Sequence, residues 1–368
     1  DLGLQLVRPI ADLAPNTLND WAQSQPTLAL RKPAQRYEQA PNVAPERTVV
    51  IAGHDLKFIK PFYPHFTKAG VRLLLDLWTG HNQHNEAASK RLLSQADTVF
   101  CEWMLGNALW YGKHKREGQG LVGRLHAQEL RSSLFDQVPF ELFDQVFFVG
   151  PHILRNAQRR NPSLSQNGSV IYNGVDVDAM KAVPREGTNG KVLGFVGMVP
   201  QSKRFDLALD ILKELRQDDP GFSLRVKGKR PEEYAWMANR PDGMAWYEQQ
   251  YRRVEEDPLL QGAVIFDPQG NDMPDWYTGI DFALSTSDFE SFHFTIADGA
   301  AAGCIPVILP WQGADEIYPK EWVYENVKAA AEGVKNCPSD RGEIAQFAKV
   351  NFDIKNVANR FVEILKEY

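Results

Sequence analysis

From Arg47 onward the chain alternates short, nearly all-apolar runs with stretches whose apolar positions recur at helical spacing. TVVIAG (48–53), VRLLLDLW (71–78), TVFCEW (98–103), GLVGRLH (120–126) and QVFFVG (145–150) alternate with helical patterns near 59–69, 84–95, 105–115, 140 and 151–160. Strands apolar at almost every position are covered on both faces, and intervening helices supply the crossovers that parallel strands need. A second series reads KVLGFVGMV (191–199), a helix over 205–217, SLRVKG (223–228), a helix around 231–255, AVIFDP (263–268), MPDWYTGI (273–280), DFALSTS (281–287) and IPVILP (305–310). Asn, Gly, Pro and Thr cluster near 173–190 between the two series. The pattern predicts an α/β chain of two doubly wound, Rossmann-like domains: an irregular preface over 1–47, an N-terminal domain over 48–175, a C-terminal domain over 176–345 and a helical tail over 346–368. Tandem domains of this kind face each other across a cleft at the C-terminal ends of both sheets, where ligands bind.

Composition agrees with that picture. A chain of 368 residues, 43% apolar and 11% aromatic, can bury about two cores. No apolar run approaches the roughly 20 residues that span a bilayer. The opening DLGLQLVRPIADLAPN lacks the layout of a secretory signal, and its missing initiator Met leads us to expect an absent upstream segment. Cys101, Cys304 and Cys337 are far apart and without metal-ligand spacing, which predicts free thiols and a cytoplasmic protein. Net charge is -6, but residues 1–175 carry 19 Lys and Arg against 15 Asp and Glu, while 176–368 carry 22 against 32. The run Lys113, Lys115 and Arg116, followed by Arg124 and Arg131, reads either as a solvated surface or as contact with an anionic acceptor or the inner membrane face. A GxSxG elbow, a Walker loop and an RNA-binding aromatic signature are all absent. Asp176 and Asp178 in NGVDVDAM form an Asp-x-Asp pair that we assign to structure, and no cluster has convincing metal spacing.

Candidate chemistry concentrates in SDFESFHFTIADGAAAGCIPVI (287–308). A helix beginning near Phe292 to Phe294 would point unpaired N–H groups at the strand ends, ready for a phosphate or a sugar oxygen. Glu290 would stand at that entrance, and Asp298, a carboxylate that repels phosphate, would serve a neutral diol such as ribose. Gly299 through Gly303, all Gly or Ala, would let the helix lie close against the sheet or a ligand. The alternative is that Glu290 merely stabilises the helix terminus and Asp298 is an exposed helix acid.

These residues resemble the signature of the retaining glycosyltransferases of family four, of GT-B architecture, in which Glu, seven residues and a second Glu precede AxAxGxPVI. Here Glu290, Ser291 and Phe292 match the start, and the second Glu is replaced by Asp298. The resemblance implies that Glu290 contacts the donor sugar, that Asp298 holds the ribose, and that backbone groups of Ser291, Phe292, His293 and Phe294 meet the sugar or diphosphate. KVLGFVGMVPQSKRFD resembles the family's phosphate-binding Arg and Lys pair, with Lys203 at the Lys position, Arg204 and Asp206 following, and Met198 where the Arg would stand. Lys229, after the next strand, is the candidate replacement cation. His126 at a strand end matches a His facing the transferred sugar, although a lone His can equally be structural. Gly53, with His54, Asp55 and Lys57 behind it, resembles the family's loop on the acceptor side. The tail is implied to return to the N-terminal domain.

The resemblance therefore implies a metal-independent, cofactor-free hexosyl- or N-acetylhexosaminyltransferase using a nucleotide-sugar donor, with a UDP-sugar the expected form. Its acceptor would be a glycan or lipid-linked glycan, as in bacterial surface polysaccharide synthesis, with peripheral membrane contact through the basic N-terminal half. Met198 and Asp298 leave a rival reading, a catalytically weakened GT-B partner subunit that binds glycan or nucleotide. A two-domain sugar-nucleotide epimerase is the third.

Overall fold

The computed structural model describes residues 46–183, 188–337 and 340–368; the preface expected over 1–47 lies outside them except for its last two residues. Two parallel sheets follow one another along the chain. The first contains β1 (Arg47–Gly53), β2 (Val71–Leu77), β3 (Thr98–Glu102), β4 (Gly120–Leu125), β5 (Gln145–Phe148) and β6 (Gly168–Val170), in the spatial order β2-β1-β3-β4-β5-β6. The second contains β7 (Val192–Val196), β8 (Ser223–Lys227), β9 (Val264–Asp267), β10 (Phe282–Ser285) and β11 (Ile305–Ile308), in the order β11-β10-β7-β8-β9. Every strand pair in both sheets is parallel.

Strand order reverses between β1 and β3 in the first sheet and between β7 and β10 in the second. At such points consecutive crossovers leave toward opposite sides and open a crevice beyond the strand ends. The helices that frame these crevices are α1 (Tyr63–Lys68), α2 (Glu86–Leu93), α3 (Gly106–His114) and α4 (Pro151–Arg160) in the first lobe. They continue as α5 (Val177–Ala182), α6 (Phe205–Asp218), α7 (Pro241–Glu256), α8 (Met273–Thr278), α9 (Phe294–Ala301) and α10 (Val327–Lys335), and the chain ends in α11 (Arg341–Phe352) and α12 (Ile354–Glu367).

The chain crosses between lobes twice, and the crossings are bonded to each other. Val175 N–H donates to Phe352 O at 2.7 Å, and Ile354 N–H donates to Val175 O at 2.8 Å. Asp176 caps α5 through Ala179 N at 2.9 Å, and Asp178 pairs with Lys355, so the Asp-x-Asp stretch is occupied by structural work. α12 lies on the first lobe: Val357, Ala358, Phe361 and Leu365 share one core with Val49, Ile51, Phe62, Phe100 and Phe147.

Three features depart from the sequence pattern. β6 was not anticipated, because its three half-buried residues GSV carry little apolar signal. MPDWYTGI, placed among the strand-like runs, forms α8, with Trp276 and Tyr277 buried. The basic run is not a continuous surface. Arg124 is fully buried in β4, Arg116 caps the carbonyls of Leu93 and Ala96, and Lys115 bonds Leu142 O.

Candidate functional site

Lys203 follows β7 and Glu290 follows β10, so the order reversal of the second sheet brings them together. Lys203 Nζ lies 2.6 Å from Glu290 Oε1, which also accepts from Ser287 Oγ at 2.7 Å, with His293 Nε2 at 3.6 Å. Burial by itself would raise the Glu290 pKa, but His293, Lys203 and the Lys203 and Ser287 hydrogen bonds hold it below the usual carboxylate range. Burial pushes His293 down to about 4, so its ring is neutral at pH 7 and Lys203 carries the electrostatic stabilisation there. His293 Nδ1 sits 2.7 Å from Ser285 Oγ, and Tyr318 Oη donates to the carbonyls of Phe292 and His293 at 2.5 and 3.0 Å. These anchors hold His293 at φ 68, a left-handed conformation uncommon outside glycine, from which α9 starts at Phe294.

The small residues of α9 have a visible purpose. A Cβ on Gly299 would stand 2.7 Å from the Ala283 methyl on β10, so this helix lies closer to its sheet than any larger side chain permits. Asp298, on the same helix, is half-buried, and burial pushes its pKa up to about 7 with no opposing partner among the described residues. Phe292 is 1% exposed and packs against Tyr172, Phe294 and Phe352, so only its main chain is available to a ligand; Ser291 is half-buried.

The cations sort themselves. Met198 is 2% exposed, its carbonyl accepts from Tyr247 Oη at 2.9 Å, and its sulfur faces Tyr251. A guanidinium there would sit in the core, so the Met belongs to a local repacking. Arg204 is held by two carboxylates, Asp206 and Asp288, both at 2.9 Å, which raise its pKa, so a phosphate would compete with both for its guanidinium. Lys227 is buried against Asp272 at 2.8 Å. Lys229 is exposed, 5.8 Å over the Tyr234 ring, with no carboxylate partner among the described residues. It follows Gly228, which packs against Gly197, the first residue after β7. Lys203 and Lys229 thus leave from adjacent strand ends.

Across the cleft, Gly53 ends β1, where a Cβ would meet Glu102 O at 2.7 Å. His54 follows, its ring 4.5 Å from His81 and 5.9 Å from Trp103; burial and then His81 lower its pKa. Asp55 and Lys57 pair with each other at 2.8 Å near the surface. His126 is 3% exposed, and its Nε2 lies 3.1 Å from Glu102 Oε1. Glu102 is fully buried and bonded by Arg124 Nε and Nη2 at 2.8 and 2.7 Å. Burial opposes its charge, yet Arg124 and His126 bring its pKa below the usual value. An ionised carboxylate only accepts, so His126 Nε2 carries the proton and Nδ1 keeps its lone pair. The ring, its own pKa lowered by burial, stacks on Trp103 at 4.1 Å and lies 5.2 Å from Phe58. Phe58 in turn stacks on Phe294 of the other lobe at 5.5 Å. A neutral imidazole fixed in this tautomer is a hydrogen-bond acceptor for a hydroxyl.

Glu102 and Arg124 escaped the sequence reading as a pair. Their signal was a single charge in each of two apolar strands, TVFCE and GLVGRL, which the β3 to β4 register sets directly opposite each other. Ser287 and His152, whose Nε2 reaches Glu290 O at 2.9 Å from α4, carried no local signal at all.

Residues 190–340 match the family model Glycosyl transferases group 1. The chain resembles HepE of Anabaena solved with UDP-glucose, at 17% identity and a TM-score of 0.63 over 88% of this chain and 100% of that one. The fold is GT-B. A glycosyltransferase of Rickettsia africae gives a TM-score of 0.65 at 13% identity, covering 87% of this chain and 98% of that one. The UDP-forming α,α-trehalose-phosphate synthase of Burkholderia xenovorans gives 0.63 at 12%, with the same coverage. No curated protein matches the chain. The group 1 match over the second lobe and the GT-B fold of both lobes support a glycosyltransferase. Among the described residues no group of three or more His, Cys, Asp or Glu is arranged to hold a metal ion, and no helix is long and apolar enough to cross a membrane.

Proposed function

We propose that this GT-B glycosyltransferase moves a sugar from a UDP-sugar to a hydroxyl of a glycan acceptor with retention of anomeric configuration. The observation that carries the reading is the half-buried Lys203 and Glu290 pair at the order reversal of the second sheet, beside the N-terminus of α9. HepE with UDP-glucose and the UDP-forming Burkholderia synthase favour uridine as the base. In the ligand-free protein Lys203 and Glu290 satisfy each other. A donor diphosphate gives Lys203 a stronger anionic partner and releases Glu290 to accept from sugar hydroxyls. Lys229 and the α9 N–H groups share the charge that grows as the bond from the anomeric carbon to phosphate oxygen breaks. The acceptor oxygen bonds to that carbon as its proton passes to the departing phosphate. His126 takes a donor-sugar hydroxyl, and Asp298 takes the ribose diol.

The test is thermal stabilisation by UDP, GDP and ADP sugars, followed by transfer assays on Glu290→Ala and Lys203→Ala. We expect UDP-sugars to stabilise and both substitutions to abolish transfer. Stabilisation with no turnover on any acceptor would instead favour a partner subunit that binds donor, the reading that the buried Met198 supports.

A further inference from the structure

We infer that His152, on the lobe opposite the donor site, is a positioning residue that fixes the Glu290 loop. The inference rests on Glu290 being the donor-facing carboxylate. His152 is fully buried at the start of α4, and its Nε2 lies 2.9 Å from Glu290 O. A carbonyl only accepts, so Nε2 is protonated; Nδ1 is buried with no hydrogen-bond partner among the described residues. The imidazole therefore spends its one donor on the main chain of Glu290, and that bond offsets part of the cost of burying Nδ1 without a protein partner among the described residues.

Both lobes are shaped around this contact. Gly313, at φ 95, lies so close to the ring that a Cβ would stand 2.2 Å from Nδ1, and a Cβ on Gly150 would stand 2.8 Å from Ser291 O. The rings of Trp311 and Phe289 flank the imidazole at 5.7 and 6.3 Å. Further along α4, Asn156 bonds Gln312 at 3.2 Å and Arg155 forks onto Glu316, so the whole helix face engages the second lobe. Lys203 and Ser287 hold the Glu290 carboxylate from its own lobe, while His152 holds its carbonyl from the other. The loop is anchored at both ends only when the lobes are in this arrangement.

The experiment compares His152→Gln, whose amide can donate to the same carbonyl, with His152→Met, of similar length and without a donor. Hydrogen exchange over 287–293 should quicken in the Met variant and return toward the parent rate in the Gln variant. In transfer assays the Met variant should lose about tenfold or more in kcat with donor KM within about twofold, and Gln should restore most of it. Equal behaviour of Gln and Met, or unchanged exchange in the Met variant, overturns the inference. Loss of activity in Glu290→Ala beside a fully active Met variant sinks it alone. A parent chain without turnover, or a fully active Glu290→Ala, sinks the donor reading and this inference with it.

Discussion

Asp298 is an acid whose surroundings oppose its ionisation. Burial raises its pKa from 3.8 to about 7, and no described cation or donor offsets the cost. Between those values the folded chain keeps a proton that the unfolded chain has released, so folding stability falls as pH rises through the interval. Asp298→Asn removes this liability. Its melting temperature should exceed the parent's at pH 8 and approach it at pH 4, with a gain of about 1–3 kcal/mol at the alkaline end, since a partly exposed edge screens the full effect. A gain independent of pH would place its origin elsewhere. The same substitution should weaken UDP binding, because an amide cannot accept two ribose hydroxyls as a carboxylate does. Met198 gives the converse case. Restoring an Arg there would bury an unpaired guanidinium against Tyr247 and Tyr251, so Met198→Arg should cost about 3–5 kcal/mol in urea unfolding and raise no activity.

Among the elements, α9 shows what the sequence made legible and what it withheld. Its Gly and Ala block announced a helix lying close against the sheet or a ligand, and Gly299 against Ala283 makes the sheet contact. Gly299→Val should therefore push α9 off β10, costing about 1–3 kcal/mol from overpacking and weakening UDP binding more than a surface change of equal cost. A variant with normal UDP affinity would show that the helix position does not matter to the donor. The strands and most helices were legible because parallel strands covered on both faces are apolar throughout, a pattern that survives without tertiary information. β6 was not, since three residues paired only along β5 need no apolar run. The Glu102, Arg124 and His126 array was hidden for another reason. The two partners of the Glu102 carboxylate, Arg124 and His126, lie 22 and 24 positions from it in sequence, and only strand register joins them. Read along the chain, Arg124 belonged to a basic run; in the sheet it is a buried counter-ion stacked over Phe62 and Phe361.

At the scale of the whole molecule, the two lobes are joined by chain crossings that exchange material. α12 is the last element in sequence, yet it completes the core of the first lobe, where the Phe361 ring meets Phe62, Phe66, Phe100 and Phe147 at 5.4 to 6.3 Å. The second lobe closes its own core without it. Phe361→Ala should thus cost about 3–5 kcal/mol, and the loss should fall unevenly. If α12 works as part of the first lobe, hydrogen exchange will rise in β1, β3 and β5 while β7, β8 and β10 keep their protection, and UDP will still stabilise the weakened protein through the second lobe. If instead the Val175 ladder to Phe352 and Ile354 and the α4 contacts bind the lobes into one cooperative unit, protection will fall together in both sheets. The uneven outcome is expected, because the aromatic rings that surround Phe361 come from the first lobe, whereas the described contacts between lobes, through α4, Phe58 and the Val175 ladder, do not touch Phe361.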